Sequence, residues 1–125
     1  MIFDTDILIW AQRGNSRAAE LIDSADRRHL SAQTYMEFLQ QAPSLERQKL
    51  NKRYLADGDF NLLPLSEQVG HRAMAYVELY SLSHGLGAGD ALIAATAVEH
   101  DLVLATGNAK HFKAIKGLRL KIFKP

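Results

Sequence analysis

Three acidic positions in this chain could do chemistry. Asp4 closes a short apolar run, Met1-Ile2-Phe3, and Thr5-Asp6 follows before a second run, Ile7-Leu8-Ile9-Trp10. Glu37 stands between Met36 and Phe38, and Asp90 lies between a glycine-rich stretch and Ala91-Leu92. Acids with such neighbours are rarely plain surface groups, because a carboxylate leaves water only when paired or bound to a cation. Two unit charges about 4 Å apart at an effective dielectric near 20 repel by about 4 kcal/mol. Three converging carboxylates therefore call for a cation, and Mg²⁺ or Mn²⁺ suits a few carboxylates plus water. Held beside basic residues, such an ion serves phosphodiester hydrolysis by activating water and stabilising charge at phosphorus. Each acid also has a structural reading. Asp4 could cap the helix beginning near Ile7. Glu37 could pair with an arginine, and Asp90 could simply favour a helix N-terminus.

The elements that must position these acids alternate. Ile2-Phe3 reads as a strand that ends on Asp4-Thr5-Asp6, with a tight loop before the helix. Residues 15–26 have Ala18, Leu21, Ile22 and Ala25 at helical spacing. Residues 28–32 are a candidate strand, and residues 33–41 a helix that stops before Pro43. Ser44 is placed to cap the next helix, which carries Arg47, Lys49, Lys52 and Arg53 and ends near Gly58. Residues 60–65 read as a strand limited by Pro64. Ser66 caps a long helix with Val69, Ala73, Tyr76, Val77 and Tyr80 on one face. Residues 83–89 form a glycine-rich loop, and residues 90–100 a helix rich in alanine, suited to close approach to a sheet. A strand at 102–105, a helix at 108–115 and a strand at 118–123 complete the chain. This alternation predicts one domain over residues 1–125, a three-layer α/β/α sandwich with a mainly parallel central sheet. Ligands of such sheets gather beyond the carboxyl ends of the strands, where Asp4 and Asp6 fall.

Composition sets outer bounds. The 125 residues are 47% hydrophobic and 23% charged, ordinary for a globular chain. The absence of cysteine excludes disulfides and thiolate metal sites. No apolar run approaches a membrane span and no signal-type N-terminus is present, so a cytoplasmic location away from the membrane is expected. Net charge is +1, but unevenly placed: no acid follows Asp101, while Lys110, Lys113, Lys116, Arg119, Lys121 and Lys124 do. That edge is either a solvated face or a surface for an anionic chain. The five histidines show no zinc spacing, and Trp10 and the tyrosines fall at core spacing.

Taken in order, Phe3-Asp4-Thr5-Asp6-Ile7-Leu8-Ile9, Glu37-Phe38-Leu39, residues 90–97 and Leu104-Ala105-Thr106-Gly107-Asn108-Ala109-Lys110-His111-Phe112 resemble the PIN-domain nucleases, and within them the small VapC-type toxins. The resemblance implies a PIN-like fold and a Mg²⁺- or Mn²⁺-dependent endoribonuclease acting on single-stranded or loop RNA. It implies a homodimer and a small DNA-binding antitoxin as partners. Asp4, Glu37 and Asp90 match the family's acidic positions and would be metal ligands. Asn108 stands at a fourth position that is often Asp, Thr106 matches the hydroxyl near the metal-bound water, and Asp6 adds a carboxylate where Asn or Ser is common. Gly107 replaces a common basic residue. Arg47, Lys49, Arg53, Lys110 and Lys113 are candidate RNA contacts. Two alternatives share these residues: a housekeeping RNA-processing nuclease, and a PIN-like binding module with weakened chemistry.

Other readings fit less well. Asp4-Thr5-Asp6 is similar to the start of haloacid-dehalogenase phosphatases, but Leu8 and Ala94 break that pattern. A receiver domain would need an acid where residues 63–65 read Leu-Pro-Leu. The glycines at 85, 87 and 89 follow a helix, not the strand that a dinucleotide fingerprint requires.

Overall fold

A computed structural model describes all residues from 1 to 125. The elements run β1 (Ile2–Phe3), α1 (Thr5–Gln12), α2 (Ser16–Ser24), β2 (Arg28–Ser31), α3 (Ala32–Gln40), α4 (Leu45–Asp57), β3 (Phe60–Leu63), α5 (Glu67–His84), α6 (Ala88–Glu99), β4 (Leu104–Thr106), α7 (Ala109–Phe112) and β5 (Leu120–Ile122). The strands form one sheet in the order β3-β2-β1-β4-β5, and every pairing is parallel. The fold is the expected α/β/α sandwich, with a sheet that is wholly parallel. Chain order reverses direction at β1, whose neighbours are β2 and β4. That is a topological switch point, which opens a crevice at the carboxyl ends of β1 and β4.

The two sheet faces bury different material. Ile2 and Leu104, paired in register, face α5 and α6 together with Val69, Ala73, Ile93 and Ala97. Phe3 and Ala105, the next pair, face the opposite layer with Ile7, Leu8, Ile22 and Phe38. Full burial of each large side chain contributes about 1.5–3 kcal/mol. Ala91, Ala94, Ala95 and Ala97 are all solvent-free, as their small size predicts for a helix pressed against the sheet.

Local signals act as read at several boundaries. The Ser44 and Ser66 hydroxyls accept from the amides of Arg47 and Val69 and start α4 and α5. Elsewhere the expectations need correction. The first helix begins at Thr5, so Asp6 lies in its first turn and not in a loop. An acid there is favoured by the helix dipole. The late helix starts at Ala88 with Gly87 as its cap, two residues before Asp90, and the preceding helix runs on to His84. β3 stops at Leu63, just before Pro64. β4, α7 and β5 are shorter or shifted, at 104–106, 109–112 and 120–122. Trp10 is not a core residue: it is 37% exposed on α1, whose buried residues are Thr5, Ile7 and Leu8. No helix is long and apolar enough to cross a membrane.

Candidate active site

Asp4 is the residue where β1 becomes α1. Its extended backbone makes it the N-cap, and its Oδ1 accepts from the Thr5 amide at 2.8 Å. Its other oxygen, Oδ2, accepts the Thr106 hydroxyl at 2.7 Å from the end of β4. Thr106 Oγ1 in turn accepts the Asn108 amide at 2.9 Å. The capping reading and the functional reading of Asp4 are thus both met, by different oxygens. Burial pushes Asp4 up to about 7; the charges of Asp6 and Asp90 push the same way, while its bonds to Thr106 and Thr5 oppose them.

Asp6 reaches the same edge one residue further on. Its Oδ2 accepts the Gly107 amide at 2.9 Å, while Oδ1 is shut off from solvent with no group in hydrogen-bonding geometry to it. Burial raises Asp6 too, the Gly107 amide opposes it, and Asp90 adds to the rise. Asp90, in the first turn of α6, is raised by burial and by Glu37. His111 Nδ1, 3.1 Å from Asp90 Oδ2, moderates that rise.

Glu37 is not paired with an arginine. Oε1 accepts the Thr5 hydroxyl at 2.5 Å, and Oε2 accepts from Gln33 Nε2 at 3.1 Å. Gly89 leaves room for this arrangement: a Cβ there would stand 2.9 Å from Glu37 Oε2 and 3.1 Å from Gln33 Nε2. Asp4, Asp6 and Glu37 make no ion pair, and Asp90 makes one only with His111.

The crevice therefore brings together Asp4, Asp6, Glu37, Asp90 and Thr106, with Asn108 exposed at its rim. Each acid leans on its own neutral donor or on His111, and no three His, Asp or Glu side chains are gathered tightly enough to hold one ion in this arrangement. Lys110 and Lys113 are exposed beside His111 on and just after α7. Arg47, Lys49 and Arg53 are exposed on α4, which packs on α3 and β3, and no hydrogen bond or ion pair ties them to the acids.

Sequence reasoning missed Thr5, Gln33, His111 and the two glycines. Gln33 was open to discovery, since it precedes Glu37 by four residues on one helix face. Thr5–Glu37 and Gly107–Asp6 link residues 32 and 101 positions apart, and nothing local signals them.

A doubly wound parallel sheet with dispersed carboxylates at its switch point defines a PIN-like α/β protein. Residues 1–118 match the PIN domain family. The chain belongs to that family, among its VapC-type toxin–antitoxin ribonucleases. It is 34% identical over 123 residues to Ribonuclease VapC10 of Mycobacterium tuberculosis, covering 95% of this chain and 90% of that protein. A toxin–antitoxin complex from Klebsiella pneumoniae holds a chain 30% identical, with a TM-score of 0.79 over 94% of this chain and 93% of that one. VapBC-1 of nontypeable Haemophilus influenzae is 26% identical with a TM-score of 0.77, covering 98% of both chains.

Proposed function

We propose that this protein is a Mg²⁺- or Mn²⁺-dependent endoribonuclease that cleaves single-stranded or loop RNA, the toxin of a VapBC-type pair. The observation that carries the reading is the meeting of Asp4, Asp6, Glu37 and Asp90 at one crevice without a lysine or arginine to neutralise them. Buried like charges stay ionised together only with a counter-charge. The donors are all hard oxygens, and Asp6 Oδ1 is an orphaned one. Such a set fits Mg²⁺ or Mn²⁺ better than a soft metal.

Asp4 and Asp90 would hold the ion, with Glu37 as a further ligand or the anchor of a water. When bound, the ion lowers the pKa of water and stabilises negative charge on the phosphoryl oxygens. The chain's own groups do the rest. Thr106 fixes the Asp4 carboxylate, and its hydroxyl lies where a nucleophilic water needs orientation. Thr5 and Gln33 hold Glu37, and His111 holds Asp90. Asn108 offers an amide to a phosphate oxygen or a water at the rim. Lys110 and Lys113 are placed to meet the RNA backbone, with Arg47, Lys49 and Arg53 as more distant contacts, so binding weakens as salt rises. A small DNA-binding antitoxin and a second copy of the chain are the protein partners of this reading.

The test is total RNA incubated with the purified protein and Mn²⁺. Cleavage that stops with EDTA and with Asp90→Asn supports the reading; cleavage that survives both overturns it. Growth arrest on expression in bacteria, relieved by Asp90→Asn, separates a toxin from a housekeeping nuclease.

A further inference from the structure

We propose that Asp6 is a fourth carboxylate ligand of the metal site and that Gly107 exists in this chain to seat it. The inference rests on the proposed metal site and deepens it. Asp4 and Asp6 are bound to consecutive residues at the end of β4: Asp4 to the Thr106 hydroxyl, Asp6 to the Gly107 amide. These two bonds dock the first turn of α1 onto β4 and turn both carboxylates into one crevice. The Gly107 bond uses only Oδ2. Oδ1 is excluded from water and has no protein partner, a state that is costly for an ionised oxygen unless something else binds it.

A purely structural role does not account for this placement. An acid that merely favours a helix N-terminus does so from solvent, with both oxygens hydrated. Here one oxygen is dry, and the local backbone is shaped to keep it so. A Cβ on residue 107 would come within 2.5 Å of Asp6 Oδ2 and 3.6 Å of the Phe123 carbonyl oxygen. The first of these is the end of a flexible side chain, so any larger residue at 107 would displace the Asp6 carboxylate and leave the fold in place. Gly107 is thus a positioning residue through the side chain it lacks and the amide it presents.

Mn²⁺ titrated into the RNA-free protein, followed by calorimetry or by the loss of the free-ion paramagnetic signal, tests this. Asp6→Asn and Gly107→Ala should each weaken Mn²⁺ binding about tenfold or more, and Asp4→Asn should abolish it. Gly107→Ala keeps every charge and moves one, so a loss there reports position. Circular dichroism melts in EDTA should show all three variants folded. If Asp4→Asn loses Mn²⁺ while Asp6→Asn or Gly107→Ala binds like the wild type, this inference falls and the proposed function stands. If the wild type itself fails to bind Mn²⁺, both fall together.

Discussion

The two ends of the sheet crowd opposite charges and resolve them differently. At the amino end, Asp26, Arg27, Arg28, His29, Asp59, Phe60 and Asn61 line a cleft of about 350 Å³. Its cations have protein partners. Arg28 donates to the carbonyls of Ile22 and Gly58 at 2.9 Å each, and Arg119 binds Asp101 at 2.9 Å. His29, held below its ordinary value by burial and then by positive charge that includes His100 and Arg27, sheds its proton and takes a bond with Asn61. At the carboxyl end the excess is negative, and the acids meet hydroxyls, amides and one imidazole. Neutral donors orient a carboxylate but leave its charge in place. The more enclosed cleft is therefore a structural feature, and the shallower acidic crevice is the one that calls for a ligand.

The largest effect expected from breaking this contrast comes at Asp4. Asp4→Asn removes the charge at the centre of the crevice and should lower RNA cleavage about 100-fold or more, the scale seen when a preorganised electrostatic group is lost. Steady-state cleavage of a defined RNA in Mn²⁺ measures it. A loss below tenfold would mean that the crevice acts without its central acid.

The pH dependence of stability should be next. Folded Asp4 sits at about 7 against an ordinary 3.8, so between those values it keeps a proton that the unfolded chain has released. Metal-free stability should then fall as pH rises from 3.8 toward 7 and level off above. Asp6 and Asp90, raised in the same direction, reinforce the fall. Mn²⁺ should flatten it by binding the ionised form. Urea midpoints at pH 5, 6, 7 and 8, in EDTA and in Mn²⁺, measure both slopes. A metal-free midpoint that rises with pH would contradict the crowding of the acids.

His111 offers a smaller test. It is the one titratable base on the acidic side, 3.1 Å from Asp90. His111→Ala should reduce kcat about tenfold, the lower end for losing a partner that orients a ligand. His111→Gln, which keeps a donor, should recover part of it. Equal losses in both variants would show that orientation of Asp90 is not what His111 supplies.

What the sequence revealed of this contrast follows from range. Capping serines, the proline that ends β3 and the alanine face of α6 act within a few residues, and each was legible. So were the acids, because apolar neighbours make a charge conspicuous. The start of α1 was misplaced because Thr5-Asp6 has the composition of a loop, while Asp4 as cap and Asp6 in the first turn make the same residues a helix N-terminus. Trp10 was misread because helical spacing identifies a face but not what covers it. The donors that hold the acids were largely invisible, since Thr5 meets Glu37, and Gly107 meets Asp6, only once the sheet has formed. Gly107 is the clearest case: as sequence it looked like the loss of a basic contact, and in the fold its amide and its missing Cβ are what accommodate Asp6.

The smallest expected effect tests the amino end. Arg28 closes two backbone carbonyls from different connections, one after α2 and one after α4, and its 3.9 Å approach to exposed Asp23 adds little. Arg28→Ala should cost about 1.5–3 kcal/mol of stability for hydrogen bonds from a charged donor and leave cleavage per folded molecule unchanged. A urea midpoint and a cleavage rate on the same preparation decide it. A fall in activity without a fall in stability would place function at both ends of the sheet and remove the asymmetry on which the assignment of the crevice depends.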